Sequence, residues 1–131
     1  SGHSRGLQVE VVIASRGNET SMRRWDEDKL EDALKRLAVG RRVVVRRDRE
    51  SHVAVPWNQT ATRFMRADVI VGVHGGALAN IMMARAGASV IELGFKSPAT
   101  HMYEFVSRSL GLRYRRVIVD EDDKGLSRGV A

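Results

Sequence analysis

The sequence predicts an α/β protein built on a doubly wound parallel sheet of about five strands. Runs of β-branched apolar residues alternate with amphipathic helical stretches along the chain. Each connection between successive runs is long enough to hold a helix, as parallel strands require. The central run, residues 69–73, is almost continuously apolar, which is typical of a strand covered on both faces. These observations together favour a parallel sheet with helices on both sides.

The first half of the chain predicts two strands and two helices in alternation. Residues 7–14 alternate and then run apolar, which predicts the first strand. Residues 25–37 predict an amphipathic helix with acidic residues in its first turn, and Gly40 ends it. Residues 43–45 predict a short strand and residues 57–65 a short helix. The inward positions of the first helix lie at helical spacing: Leu30, Ala33, Leu34 and Leu37.

The second half continues the alternation after the third strand. A His-Gly-Gly turn breaks the apolar run, and good helix formers follow; Gly87 is predicted to end that helix. A later helix is predicted to face the core with Met102, Phe105, Val106 and Leu110. The predicted elements are a helix at 77–83, a strand at 89–93, a helix at 101–110 and a strand at 114–119.

The chain is predicted to form a single domain over residues 1–131, Rossmann-like in fold class. Its 131 residues suffice for one hydrophobic core and are too few for two ordinary domains. Residues 1–6 are predicted to be a linker or vector remnant, and residues 120–131 a frayed tail. No run approaches the roughly 18 apolar residues of a membrane span. Cysteine is absent, which excludes disulfides, zinc–thiolate sites and a thiol nucleophile.

The charge balance indicates an anionic partner. The net charge is +6, the pI is near 10.5, and the excess is mainly arginine. These arginines are scattered at the ends of predicted elements, and aromatic residues make up only 5% of the chain. A nucleic-acid binder would gather its charge on one face and interleave aromatic residues for stacking. The pattern therefore favours phosphate contacts, and nucleic acid is not the expected partner.

The turn formed by His74, Gly75 and Gly76 is the predicted functional site. It joins the carboxyl end of the buried third strand to the amino end of the next predicted helix. Such a junction presents unpaired backbone N–H groups and the positive end of the helix dipole, which suit an anion. Glycines lack a Cβ, so a ligand can approach the backbone closely. Ligands of parallel sheets bind at this edge, near the point where the strand order reverses.

Charged residues are predicted to reach the same crevice. Arg16 follows the first strand, and Arg23 and Arg24 precede the first helix, so each could clamp a diphosphate. Glu92, predicted at the carboxyl end of the fourth strand, could accept hydrogen bonds from ribose hydroxyls. These groups suit a nucleotide diphosphate held without a metal, with arginines neutralising the leaving group.

Common phosphate-binding and hydrolytic motifs are absent from the sequence. There is no GxGxxG dinucleotide fingerprint and no GxxxxGK[ST] loop. His-Gly-Gly is similar to the oxyanion loop of esterases, but no GxSxG nucleophile elbow occurs, which argues against such a hydrolase. The 4 histidines are scattered and form no HExxH motif, so no metal site and no cofactor are expected.

The segment ADVIVGVHGGALANIMMARAGASVIEL, residues 67–93, resembles the His-Gly-Ala segment of the family 61 glycosyltransferases. Upstream, Ser15-Arg16, Arg24 and the acidic start of the first helix fit the family pattern. Downstream, Tyr103 fits it too, so the resemblance extends over most of the chain. The matched positions of the central segment are His74, Gly75, Leu78, Asn80, Gly87 and Glu92.

Two positions depart from the family pattern. Gly76 stands where the family usually has Ala, which loosens the turn. Asp26 stands where Asn is usual, which changes the contact that position offers to a donor.

The resemblance implies an inverting, metal-independent glycosyltransferase of the GT-B type, in which two Rossmann-like domains close over the substrates. This chain would be one half of that fold, the carboxyl-terminal domain that binds a nucleotide sugar, usually a UDP-sugar. A glycan or glycoprotein acceptor would bind a missing amino-terminal domain. The compartment would be the Golgi or endoplasmic reticulum lumen in a eukaryote and the cytoplasm in a bacterium. The implied donor-binding residues are Arg16, Arg24, His74, Gly75, Gly76 and Glu92, with His74 also the candidate catalytic residue.

Simpler interpretations stand beside these assignments. An alternative role for His74 is that of a polar residue that satisfies backbone groups at a strand end. The two glycines are equally consistent with a plain tight turn. Arg16 is also consistent with an exposed surface charge. Glu92 is also consistent with a cap of the next helix or with an ion pair to an arginine. For the whole chain, the alternative is a non-enzymatic, basic Rossmann-like module that binds nucleic acid or a partner protein. A third candidate is a small phosphosugar-binding enzyme complete in itself.

Overall fold

The computed structural model describes residues 8–15, 27–48, 56–73, 75–95 and 101–119. The predicted remnant at residues 1–6 and the predicted tail at residues 120–131 lie outside this part of the chain. The strands are β1 (Val9–Ile13), β2 (Val43–Arg47), β3 (Val69–Val73), β4 (Ser89–Phe95) and β5 (Arg113–Val119). The helices are α1 (Glu27–Ala38), α2 (Trp57–Arg66), α3 (Met102–Ser109) and the 3₁₀ helix η1 (Gly76–Met83).

The strands form one parallel sheet in the order β2-β1-β3-β4-β5. The predicted parallel α/β architecture is therefore confirmed. The register pairs Val11 with Val69 and Gly72 with Glu92. Because β2 lies on one side of β1 and β3 on the other, the direction of winding reverses between β1 and β3.

The two faces of the sheet are covered by different helices. On one face, α1 packs Leu30 and Leu34 against an aliphatic cluster that includes Ile13 and Val71. On the other face, α2, η1 and α3 cover the larger core. The fully buried residues of that core include Val12, Phe64, Ile70, Leu78, Ile81 and Val90. Among the described residues, no helix is both long enough and apolar enough to span a membrane.

The segment after β3 is a 3₁₀ helix of 8 residues. Its bonds span three residues, as from Leu78 N to Gly75 O (3.1 Å) and from Ala84 N to Ile81 O (3.0 Å). Leu78 and Ile81 lie at the three-residue period of this helix type, so both are buried on one face. The helix predicted at 77–83 is therefore confirmed as a 3₁₀ helix that ends at Met83, and Gly87 lies four residues beyond its end, with a φ of 88°.

The inward faces of two helices differ from the prediction. In α1, Leu37 is exposed and Ala38 packs on the core instead. In α3, Met102, Phe105 and Leu110 are exposed, Val106 is partly buried, and the buried side chains are Tyr103 and Ser107. Tyr103 turns inward, where its hydroxyl donates a hydrogen bond to Gly75 O.

Candidate functional site

The carboxyl edge of the sheet is where β1 and β3 end side by side. Ser15 follows β1 and is buried, and the glycine turn follows β3 directly. The structure therefore places Gly75 and Gly76 at the point of strand reversal, where parallel sheets bind ligands. Three other predicted site residues, Arg16, Arg24 and His74, lie outside the described residues.

The backbone of the glycine turn is fixed by α3. The Tyr103 hydroxyl donates a hydrogen bond of 2.5 Å to Gly75 O, which also accepts from Leu78 N. Tyr103 is itself buried, so its hydrogen bond holds the turn from the protein interior. The η1 helix then starts at Gly76, and the first N–H groups of a helix have no partner within it. The chemistry available here is donation to an anion.

Glu92 lies within β4, where the sequence predicted it to lie at the end of the strand. The strand continues to Phe95, because Gly94 and Phe95 pair with Ile118 and Val119 of β5. The Glu92 side chain is fully buried, and its carboxylate accepts a hydrogen bond from the Tyr114 hydroxyl. The predicted ribose contact of Glu92 stays a prediction, and the visible role of this carboxylate is internal.

Tyr103 and Tyr114 both lie close to Glu92. Burial raises the pKa of Tyr103, and the charge of Glu92 raises it further. Burial also raises the pKa of Tyr114 well above 10, with the hydrogen bond to Glu92 as the second cause. Both phenols are therefore neutral donors at ordinary pH. Tyr114 donates a hydrogen bond to Glu92, and Tyr103, which feels the charge of Glu92, donates one to Gly75 O. The sequence alone did not predict this arrangement.

A second buried carboxylate, Asp48, lies at the end of β2. It accepts a hydrogen bond of 2.6 Å from Ser15 N, and its own N–H donates to Ile13 O. The Arg63 side chain from α2 donates to Asp48 O. Asp48 therefore fixes the chain at the point where it leaves β1. Sequence reasoning missed this residue, although an aspartate directly after a strand is a common signal for a turn.

The start of α1 is held by polar contacts to the same edge. Ser15 Oγ donates to Glu27 Oε2 at 2.7 Å. Arg47, at the end of β2, pairs with Glu31 at 2.9 Å and also with Asp28. Burial lowers the pKa of Arg47, but the hydrogen bond to Asp28 and the surrounding carboxylates raise it on balance. These contacts set the position of α1, which Arg16 and Arg24 precede in the sequence.

The opposite, amino edge of the sheet carries a cavity of about 480 Å³. Asp68 there accepts a hydrogen bond of 2.8 Å from Glu10 N and pairs with Arg85. Its lining residues are Gln8, Val9, Glu10, Met65, Arg66, Asp68 and Arg85. Because it lies at the other end of the strands, it is not part of the predicted site. No group of three or more His, Cys, Asp or Glu side chains among the described residues could hold a metal ion.

A comparison with protein families identifies the family of this chain. The family model described as Glycosyltransferase 61 matches residues 4–91. The chain belongs to this family. It is therefore a glycosyltransferase, an enzyme class that acts on a nucleotide-sugar donor and an acceptor. No curated protein sequence gives a significant match to the chain.

The match to glycosyltransferase family 61 runs from before β1 into the first three residues of β4 and includes the whole glycine turn. It ends one residue before Glu92. The resemblance noted at Glu92 and at Tyr103 lies beyond the matched residues and stays a prediction. The family assignment therefore rests on residues 4–91 and says nothing of the chain beyond them.

Proposed function

We propose that this family 61 glycosyltransferase domain binds the donor nucleotide of an inverting, metal-independent transfer, with a UDP-sugar as the donor. One observation carries the proposal. The glycine turn lies at the strand reversal between β1 and β3, the position at which parallel sheets bind nucleotides. Membership of the family makes a sugar nucleotide the expected ligand of such a position.

The diphosphate would lie against the glycine turn. The leading N–H groups of η1 donate to phosphate oxygens, and the lack of a Cβ at Gly75 and Gly76 lets them approach. Arg16 and Arg24 neutralise the charge that develops on the departing nucleoside diphosphate. His74 is the candidate for a hydrogen bond to the phosphate or the sugar. In an inverting reaction the acceptor hydroxyl oxygen bonds to the anomeric carbon from the face opposite the diphosphate. The bond from that carbon to the diphosphate oxygen breaks in the same step, the nucleoside diphosphate leaves, and the hydroxyl proton passes to a general base.

The acceptor would bind to a second domain of the GT-B arrangement. The described sheet is one α/β unit, and its carboxyl edge supplies one wall of a substrate cleft. We propose that an amino-terminal domain supplies the other wall and holds a glycan or glycoprotein acceptor. The present chain is then expected to bind donor and to transfer sugar slowly or not at all.

Titration calorimetry of the chain with UDP, GDP, ADP and inorganic pyrophosphate tests the donor proposal. We expect UDP to bind, with the same affinity in EDTA and in magnesium or manganese chloride. Arg16→Ala should weaken UDP binding roughly 10-fold or more, since it removes a charge-assisted hydrogen bond. Arg115→Ala, which removes an exposed arginine from β5, is the matched control and should leave binding unchanged.

Two results would contradict the proposal. One is the absence of binding by any nucleotide together with a salt-steep affinity for RNA or heparin, which favours the alternative of a polyanion-binding module. The other is binding that disappears in EDTA, which would remove the metal-independent part. Sugar transfer by this chain alone would favour a complete small enzyme instead.

A further inference from the structure

The first residue of α2, Trp57, is a large aromatic side chain on the inner face of its helix. Trp57 precedes Phe64 by about two helical turns, so the two side chains lie on the same face. Phe64 is fully buried in the core, and Thr60 and Ala61 on this face are partly buried. Trp57 is nevertheless 68% exposed. The opposite face of α2 carries Gln59 and Arg66, both exposed.

Trp57 is exposed because of its position along the direction of the strands, close to their carboxyl ends. Directly after α2, Asp68 N donates to Glu10 O at 2.8 Å, so the helix ends at the amino end of β1. From there α2 rises about 15 Å to Trp57, at 1.5 Å per residue. Over the same height β1 climbs from Glu10 to Ser15, about 16 Å at 3.3 Å per residue. The indole therefore lies at the carboxyl edge, where the sheet beneath it ends.

The lateral position of α2 places the indole beside the glycine turn. The helix packs against β1 and against η1, which follows β3. It therefore covers the gap between β1 and β3, where the strand order reverses. Both α2 and η1 pack on the same face of the sheet, because Phe64, Leu78 and Ile81 share one core. Trp57 and the start of η1 thus share one edge and one face.

We propose that the indole of Trp57 is the stacking platform for the nucleobase of the donor. This inference rests on the proposed function, and it adds a base subsite to the phosphate position at Gly75 and Gly76. An exposed indole at this edge of the sheet offers an aromatic surface to the π face of a base, and such stacking tolerates any base. Trp57 therefore supplies affinity for the nucleoside, and the choice among bases comes from other groups.

The test compares UDP with inorganic pyrophosphate, which has no base, on the wild-type chain and on Trp57→Ala. We expect the substitution to weaken UDP binding roughly 5- to 150-fold, the range found for one stacked base. Pyrophosphate binding should not change. Trp57→Phe keeps an aromatic face and should retain most of the affinity for UDP. Phe105→Ala is the control, because Phe105 is an equally exposed aromatic residue, at 69%, on α3.

Each other result overturns the inference in a recognisable way. Wild-type binding of UDP with no loss in Trp57→Ala removes the base subsite and leaves the proposed function intact. An equal loss for UDP and pyrophosphate assigns Trp57 to the phosphates or to the fold. A loss for a UDP-sugar but not for UDP assigns it to the sugar ring. If the wild-type chain binds neither UDP nor pyrophosphate, the donor proposal fails and the base subsite fails with it.

Discussion

The two buried carboxylates of this domain, Asp48 and Glu92, are bound in different ways. Asp48 lies at the edge of the sheet and accepts a hydrogen bond from the backbone of Ser15. Glu92 lies in the middle of β4 and accepts a hydrogen bond from the side chain of Tyr114. Asp48 thus connects two neighbouring strand ends, β2 to β1. Glu92 accepts a hydrogen bond from Tyr114 of β5 and acts on Tyr103 of α3 through its charge. Tyr103 in turn donates a hydrogen bond to the glycine turn after β3.

The difference shows how the two halves of the carboxyl edge are positioned. The β1–β2 half is held locally, by contacts at the ends of the strands and the start of α1. The β3–β4 half is held by side chains of the core. Tyr103 bonds to the glycine turn from the same face of the sheet on which Glu92 is buried. Substitutions in the interior should therefore affect global stability most, and substitutions at the edge should have smaller effects.

The largest expected effect is that of Glu92→Ala. It removes a fully buried side chain and leaves the Tyr114 hydroxyl without its acceptor, so it combines a cavity with an unsatisfied donor. We expect a loss of about 3 kcal/mol in the free energy of unfolding. Urea denaturation monitored by circular dichroism measures it.

Glu92→Gln is the control for that prediction. The amide oxygen still accepts from Tyr114 and the volume is kept, so we expect a loss of about 1 kcal/mol. If Gln is as destabilising as Ala, the charge of Glu92 matters more than its hydrogen bond, and the account of an internal acceptor is wrong.

Asp48→Ala should have the second largest effect. It leaves the buried Ser15 N–H without its acceptor, which we expect to lower the free energy of unfolding by about 2 kcal/mol. Asp48→Asn keeps an acceptor oxygen and should recover most of the loss. Urea denaturation of both variants gives the comparison. A larger effect for Asp48→Ala than for Glu92→Ala would contradict the contrast between edge and interior.

Arg47→Met should have a smaller and salt-dependent effect. The methionine keeps most of the apolar contact of a side chain that is only 10% exposed, but it removes the ion pairs with Glu31 and Asp28. Asp28 is 83% exposed, so solvent screens its share. We expect a loss of about 1 kcal/mol at low ionic strength that shrinks in 1 M salt. An effect independent of salt would mean that packing, and not charge, is what Arg47 supplies.

The sequence predicted best those parts of the fold that a single local feature determines, such as a run of β-branched residues or a glycine at the end of a helix. The β-branched run at Val69–Val73 has few alternatives to a buried strand, and it forms β3 with those bounds. The end of the first helix at Gly40 is also confirmed, because its φ of 74° is a conformation that favours glycine. The order of strands and helices follows from such local signals, and the parallel sheet follows from that order.

The parts that sequence did not predict depend on polar groups that find partners only in three dimensions. In α3 the apolar spacing pointed Phe105 inward, but the helix instead turns Tyr103 to the Gly75 carbonyl. The hydrogen bond that Tyr114, from the next strand, donates to Glu92 was not predicted either. Hydrophobic periodicity carries no information on such pairs, because each needs a partner from a distant part of the chain. The roles of Arg16, Arg24 and His74 remain predictions.

The last expected effect, absent at neutral pH, is on the pH dependence of stability, and it involves both tyrosines. Their pKa values are raised in the folded chain, first by burial and then by Glu92, whereas an unfolded tyrosine titrates near 10. The folded state therefore holds these protons more tightly. The resulting stabilisation is complete below about pH 10 and is lost as the pH rises above it, by at most ~1.4 kcal/mol per pH unit for each tyrosine.

Urea denaturation between neutral and strongly alkaline pH tests this, with Tyr103→Phe, Tyr114→Phe and the double variant beside the wild type. The double variant is less stable at neutral pH, but its remaining stability should fall less steeply above about pH 10, because the chain has 2 tyrosines and neither is left to ionise. The absorbance of tyrosinate should appear at higher pH in the folded wild-type chain than in urea. Equal titration in both states would show that Glu92 and burial do not act on these phenols, and the interior link between Glu92 and the glycine turn would lose its support.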